Sequence, residues 1–208
     1  PRYNIIEVSF AEPEPGTTSE MQFVPSADAP AEFAARVQAL HALGRKVLIS
    51  IGGANGTVQL NDDAERDQFI NTVTAILTTY GFDGIDLDLE GASVSITGGT
   101  IASPIDAGIV RLIEAVRTIM SQFRAATGQK LFLTMAPETA FVQGGMSAFG
   151  GIWGAYLPVI DALRDSLDIL QVQLYNSGSM FGLDGGTYAQ GTADFIVGQT
   201  EAVIHGFN

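Results

Sequence analysis

Residues 82–90 read Phe-Asp-Gly-Ile-Asp-Leu-Asp-Leu-Glu, so that apolar and acidic residues alternate along the run. A period of two residues is the pattern of a β-strand. Asp86, Asp88 and Glu90 should therefore project from one face, about 6.6 Å from one to the next, because a strand rises about 3.3 Å per residue. The aliphatic residues between them should project from the opposite face.

A column of three carboxylates is costly because each loses hydration and repels the next. At least one of them is expected to keep a proton near neutral pH, and a protonated carboxyl can act as a general acid. A strand with one wet face would show the same alternation. Gly91 follows Glu90 directly and favours a column that ends at a turn, where side chains meet solvent and substrate. The spacing of a calcium-binding EF-hand is absent and no metal site is predicted, although metal binding of another kind stays open.

Composition indicates one acidic globular domain over residues 1–208, with 46% hydrophobic residues, a net charge of −13 and no cysteine. The ten Lys and Arg residues are spread along the chain, which argues against nucleic acid as a partner. No apolar run reaches the length of a membrane span. The absence of cysteine excludes disulfides and thiol catalysis, and no cofactor is predicted. The chain begins with Pro1 rather than Met, from which we expect that an upstream segment was removed from a secreted, monomeric protein.

Apolar runs and helical stripes alternate along the whole chain. Strands are predicted at residues 3–10, 46–51, 82–90, 130–135 and 169–174, and helices at residues 30–43, 62–80, 103–127, 156–167 and 192–205. Nearly continuous apolar strands separated by helices indicate a parallel α/β sheet. The pattern fits an α/β barrel or an open doubly wound sheet, and both place functional residues at the carboxyl ends of strands.

Four motifs in order carry a family resemblance. The acids of residues 83–90 match the D-x-x-D-x-D-x-E signature of family 18 glycoside hydrolases, the chitinases and their relatives. Residues 50–53 resemble the family's S-x-G-G, residues 133–138 its fifth strand, and residues 173–176 the Q-x-Y-N of its bacterial branch. The resemblance implies a TIM (β/α)8-type barrel. Because only five strands are predicted, the chain should be the central portion of a catalytic barrel domain, without the first and the last two strands. Such a piece has open edges and is expected to fold poorly alone.

The resemblance also implies a reaction and the residues that perform it. It implies hydrolysis of β-1,4 N-acetylglucosamine linkages with retention, in which the sugar's own acetamido oxygen is the nucleophile. Glu90 would protonate the leaving oxygen, Asp88 would bind the acetamido N–H, Asp86 would share a proton with Asp88, and Tyr175 would donate its hydroxyl to the acetamido oxygen. The expected substrate-binding residues are Gln173, Asn176, Met135, Glu138, Gly53 and Phe10.

Several alternatives stay open at this point. Tyr175 and Met135 could fill the core, and Glu138 could be a solvated loop residue. The partner is expected to be chitin or an N-acetylglucosamine oligosaccharide, but the same motif serves endo-β-N-acetylglucosaminidases that act on N-glycans. A non-catalytic chitin-binding lectin is a third reading. Such relatives typically lose the last Glu of the motif, whereas Glu90 is present here.

Overall fold

The computed structural model describes residues 2–206, which form an α/β structure around a six-stranded sheet. The strands are β1 (Ile5–Pro13), β2 (Met21–Gln22), β3 (Lys46–Gly52), β4 (Gly84–Asp88), β5 (Gly99–Thr100), β6 (Ser103–Pro104), β7 (Phe132–Met135), β8 (Ile169–Leu170), β9 (Met180–Phe181) and β10 (Thr187–Tyr188). The α-helices are α1 (Pro30–Ala42), α2 (Asp63–Tyr80), α3 (Ala107–Thr127), α4 (Leu157–Leu163) and α5 (Ala193–His205).

The sheet has the strand order β2-β1-β3-β4-β7-β8. Its five strands from β1 to β8 are mutually parallel, and the short β2 is antiparallel to β1 at one edge. Each parallel neighbour is reached through a helix, as parallel crossovers require. Within residues 2–206 the sheet has two open edges, so it corresponds to a segment of an α/β barrel.

The alternation of residues 82–90 has the predicted consequence in β4. Ile85 and Leu87 are fully buried in the core that the helices cover, while Asp86 and Asp88 project from the other face. Both faces of this strand are therefore buried, and only one of them is apolar. None of the helices within residues 2–206 is both long and apolar enough to cross a bilayer.

The first acid of the motif lies at the opposite end of β4 from the other three. Asp83 Oδ1 accepts a hydrogen bond from Lys46 Nζ at 2.7 Å, while Oδ2 accepts one from the backbone N–H of Val47 at 2.8 Å and lies 2.7 Å from His41 Nε2. These contacts join the start of β4 to the start of β3. Asp83 is a structural residue of the sheet, and His41 is its partner.

Three predicted boundaries differ from the structure by four residues, the largest differences within residues 2–206. Residues 103 and 104 lie in the hairpin of β5 and β6, and α3 begins later, because Asp106 binds the backbone N–H and the hydroxyl of Thr97 across the hairpin. Helix α4 ends at Leu163 rather than at residue 167. Strand β8 spans two residues rather than six, and beyond it the chain keeps a single parallel bridge between Glu138 and Gln173.

Candidate active site

The site lies where the carboxyl ends of the parallel strands meet. Glu90 follows β4, Gly53 follows β3, Glu138 follows β7 and Gln173 follows β8. In an α/β barrel this rim carries the chemistry. Four motifs that are far apart in sequence are thus brought together at the carboxyl ends of the parallel strands, as predicted.

Asp86 is the deepest of the three carboxylates and is only 2% exposed. Ser50 Oγ donates to Asp86 Oδ2 at 2.6 Å, and Thr134 Oγ1 donates to Oδ1 at 2.7 Å. Burial raises the pKa of Asp86 above its ordinary value, and the hydrogen bonds from Ser50, Thr134 and Gln171 partly offset that rise. The strand registers explain the contacts, since Asp86 pairs with Ser50 on one side and with Thr134 on the other.

One amide contacts both Asp88 and Glu90. Gln173 Nε2 donates to Asp88 Oδ1 at 2.8 Å, lies 3.2 Å from Glu90 Oε1, and is fixed by the carbonyl of Ala136 at 2.9 Å. Burial, and then the charges of Glu90 and Asp86, raise the pKa of Asp88 to about 7. Asp88 is therefore partly protonated at neutral pH, and its proton lies beside Glu90.

The sharing of a proton between Asp86 and Asp88 stays a prediction. The charge of Asp86 is one of the causes that raise the pKa of Asp88. Both oxygens of Asp86 accept hydrogen bonds, from Ser50 and Thr134, while Gln173 contacts Asp88 and Glu90.

Glu138 holds the turn that follows the motif. Its Oε1 accepts a hydrogen bond from the backbone N–H of Gly91 at 2.8 Å, directly after Glu90. Its backbone bridges to Gln173. Glu138 therefore connects the turn after Glu90 with the amide that pairs Glu90 with Asp88, and neither contact requires it to touch a sugar.

Tyr175 and Asn176 lie at the open side of the site. Tyr175 is 57% exposed, and partial burial followed by the charges of Asp88 and Glu90 raises the pKa of its hydroxyl. The hydroxyl therefore stays protonated at neutral pH and can donate a hydrogen bond. Its exposure excludes the core-filling alternative. Asn176 is exposed too and has a left-handed backbone with φ of 55°.

Phe10 covers the glycine that ends β3. A Cβ atom on Gly53 would lie 3.0 Å from the Phe10 ring, and the φ of Gly53 is +75°, so the ring can pack here only on a glycine. The Gly53 backbone N–H donates to the carbonyl of Asp88 at 2.7 Å. Phe10 is 37% exposed. Its ring and Gly53 therefore form a surface beside the end of β4.

Met135 does not reach the site. It pairs with Leu87, on the face of the sheet that the core covers, and has no exposed surface. The expectation that it lines a sugar pocket is wrong for this position, and the core-filling alternative accounts for it. Alternation explains the error, because the neighbouring Thr134 is the residue of β7 that faces the carboxylates.

Tyr156 is a residue of the site that carries no sequence signal. Its hydroxyl donates to the carbonyl of Leu87 at 2.9 Å and accepts from the N–H of Leu89 at 3.3 Å. It therefore hydrogen-bonds the backbone on both sides of Asp88. Its ring is fully buried and stacks on Phe141. The contact spans 67 residues to Leu89, a distance that no local pattern encodes.

The structure is a parallel α/β sheet of the barrel type, with Asp88 and Glu90 against one amide at the carboxyl ends of its strands. Within residues 2–206, no group of three or more acidic or His side chains is arranged to hold a metal ion. Comparison with known proteins then identifies the family. The model of the family "Glycosyl hydrolases family 18" matches residues 4–194, and the chain belongs to that family.

Curated relatives and solved structures agree with this assignment. Chitinase Chi52 of Paenibacillus xylanexedens is 50% identical over 99% of this chain, and Chitinase D of Niallia circulans is 49% identical over 99%. The chain spans 39% of the length of each of these two relatives. A crystal structure of a family GH18 chitinase from Chromobacterium violaceum has a TM-score of 0.83 and 41% identity, covering 99% of this chain and 52% of that one. The fold is therefore the TIM-barrel type, present here in part, as predicted.

Proposed function

We propose that residues 1–208 are the central portion of a catalytic barrel domain that hydrolyses β-1,4 linkages between N-acetylglucosamine units. The observation that carries the proposal is the placement of Asp88 and Glu90 against the one amide of Gln173 at the carboxyl ends of the strands. The curated relatives named chitinases support chitin or its oligosaccharides as the substrate.

The geometry favours acetamido assistance over a protein nucleophile. Retaining hydrolysis with a protein nucleophile needs two carboxyls on opposite sides of the scissile bond, about 5 to 5.5 Å apart. Asp86, Asp88 and Glu90 come from one strand and its end, so they approach a substrate from the same side. In the assisted route, the acetamido carbonyl oxygen attacks the anomeric carbon and the protein supplies an acid and a group that holds the acetamido.

Each step then uses a group already in place. Glu90 takes the proton of Asp88 and gives it to the glycosidic oxygen as the bond to the anomeric carbon breaks. Asp88 turns its carboxylate to the acetamido N–H and balances the positive charge of the cyclic intermediate. Tyr175 donates its hydroxyl to the acetamido oxygen before attack. Water, deprotonated by Glu90, opens the intermediate and gives a product with retained configuration.

The alternatives are less well supported. A lectin has no use for an aspartate whose pKa is raised to about 7, and Glu90 is present beside it. An endo-β-N-acetylglucosaminidase would use the same acids, and the names of the relatives favour chitin over N-glycans. Gln173, Asn176 and Phe10 are proposed to bind sugar at the open side of the site. Glu138 is proposed to act beside them by holding the turn at Gly91.

Two further properties belong to the proposal. Secretion suits an insoluble polymer that a cell meets only outside its membrane. A monomer suits a rim that must admit a long polysaccharide. Sedimentation velocity of the chain and analysis of culture medium from the native host would test these two statements directly.

The test of the proposed function is a Glu90→Gln variant assayed on chitotetraose. The amide keeps the shape of the side chain but cannot give the proton, so turnover should fall by a factor of about 100 or more while binding stays within about threefold. Glu32→Gln, at an exposed position on α1, is the matched control for the loss of one charge and should behave as wild type. Turnover by Glu90→Gln at the wild-type rate would contradict the assignment of the acid, and a folded wild-type chain that neither binds nor cleaves the sugar would contradict the function.

A further inference from the structure

Glu7 places a fourth carboxyl group inside the sheet, outside all of the sequence motifs. It lies in the middle of β1 and is half-buried. Gln171 Nε2 donates to Glu7 Oε1 at 2.6 Å, and Thr134 Oγ1 lies 3.2 Å from the same oxygen. Thr134 and Gln171 come from the far side of β4, so Glu7 reaches across the interior to meet them.

The same two side chains also serve Asp86. Thr134 Oγ1 is 2.7 Å from Asp86 Oδ1, and Gln171 hydrogen-bonds the Asp86 carboxyl as well. The Thr134 hydroxyl has one proton and lies between two carboxyl oxygens. When it donates to Asp86, its contact with Glu7 is a hydrogen bond only if Glu7 carries a proton and donates it to Oγ1. The geometry thus connects one protonated carboxyl and one carboxylate through a hydroxyl.

We propose that Glu7 is a positioning residue that shares one proton with Asp86 through the hydroxyl of Thr134. Glu7 thereby sets the charge of the Asp86 carboxyl, which neighbours Asp88 on β4. In the exchange, Glu7 gives its proton to Thr134 Oγ1 while Thr134 gives its own proton to Asp86 Oδ1. Glu7 becomes a carboxylate and Asp86 an acid, so atoms and charge balance without another reactant. Gln171 holds both carboxyl groups in place throughout.

The electrostatic surroundings agree with a shared proton. Burial, and next the charge of Asp86, raise the pKa of Glu7. The titratable groups that interact with the charge of Asp86 are the carboxyl of Asp88 from β4 and the buried hydroxyl of Tyr156, which precedes α4. The contacts from β3, β7 and the end of β8 are the neutral side chains of Ser50, Thr134 and Gln171. Within residues 2–206, Glu7 forms no ion pair. Like charges and neutral donors therefore surround the Glu7 carboxyl, and this environment favours its protonated form.

The consequence for catalysis rests on the proposed function. A negative charge on Asp86 raises the proton affinity of Asp88, and Asp88 supplies the proton that catalysis uses. The pair of Glu7 and Asp86 carries one negative charge in wild type, and in Glu7→Gln that charge lies on Asp86 alone, next to Asp88 on β4. The alkaline limb of the pH–rate profile should therefore move to higher pH, by up to about 0.5 unit in a medium of effective dielectric constant about 20. Substrate affinity should change little, because Glu7 does not face the open side of the site.

The direct experiment is carbon-13 NMR of the Asp and Glu side-chain carboxyls across a pH titration. In Glu7→Gln the pKa of Asp86 should fall by about 0.5 unit or more, because a like charge is lost. In Thr134→Val it should rise, because a donor to the carboxylate is lost. Glu32→Gln, which removes an exposed charge on α1, should leave it unchanged. An Asp86 titration that is the same in wild type, Glu7→Gln and Thr134→Val would overturn the proposal.

The pH–rate profile separates this inference from the proposed function. A wild-type chain without turnover, combined with the opposite shifts at Asp86, would support the shared proton and reject the reaction. A chain that turns over chitotetraose with an alkaline limb unmoved by Glu7→Gln, and with Asp86 unshifted, would overturn the role of Glu7 and leave the reaction standing. A uniform fall of rate at every pH would show a structural role alone and would also overturn it.

Discussion

Tyr156→Phe removes the hydroxyl that hydrogen-bonds the backbone on both sides of Asp88. The hydroxyl of Tyr156 accepts a hydrogen bond from the Leu89 N–H at 3.3 Å and donates one to the carbonyl of Leu87 at 2.9 Å. The Leu87 carbonyl also accepts from the Ala136 N–H at 3.0 Å and keeps that bond in the variant. The substitution therefore leaves one buried N–H without its partner and removes a second, additional hydrogen bond.

The expected cost follows from these two losses. An unpartnered buried N–H costs about 1 to 3 kcal/mol, and a supplementary hydrogen bond contributes about 0.5 to 1 kcal/mol. We expect Tyr156→Phe to lower the free energy of unfolding by about 2 kcal/mol, or about 4 to 8 °C in melting temperature for a chain of this length. Because the freed backbone flanks Asp88, turnover should fall by about tenfold, which corresponds to about 1.4 kcal/mol in the barrier.

Thermal unfolding by circular dichroism and turnover of chitotetraose are the two assays. Tyr80→Phe is the matched control, since its buried ring also loses a hydroxyl that donates to a backbone carbonyl, that of Phe23 at 3.0 Å. The control should lose about 1 kcal/mol and keep its turnover. The reasoning would be refuted if Tyr156→Phe melted together with Tyr80→Phe and turned over at the wild-type rate.

Two further outcomes follow from the site. Burial and neighbouring carboxylates raise the pKa of Asp88 to about 7 in the folded chain, so the stability that its proton supplies is present below about pH 4 and is lost as the pH rises to about 7. Asp88→Asn should thus gain about 2 kcal/mol relative to wild type between pH 4 and pH 8 in urea unfolding, and a difference independent of pH would contradict this. Gly53→Ala should melt lower than Gly128→Ala, because both glycines have a φ near +74° but only at Gly53 would the new Cβ meet a side chain, Phe10 at 3.0 Å. Equal melting temperatures would show that the Phe10 contact has no cost.

Local signals in the sequence were sufficient for most of the fold. Helix α2 begins after Asp62, whose side chain accepts from the Glu65 N–H, and ends at Gly81 in the left-handed conformation, so both boundaries depend on residues next to them. The alternation in β4 predicted which acids share a face. The boundaries near residues 103 and 170 were misplaced because there a side chain or a bridge from another segment fixes the backbone.

The connections within the site could not be read from the sequence. Gln173 and Asp88 are 85 residues apart, and the donors to Asp86 come from two other strands. Met135 was misassigned because its face depends on the register between β4 and β7. Residue type indicated the chemistry of the site, but long-range pairing decides which group holds which proton.

The account depends most on acetamido assistance through Glu90 and Asp88, and proton NMR of chitotetraose during cleavage tests it directly. The anomeric configuration of the first product must be read before mutarotation mixes the two anomers. The account predicts early β product. Water opens the intermediate formed by the acetamido oxygen from the face of the sugar ring that the leaving group had occupied. Early α product would show inversion and would contradict the mechanism.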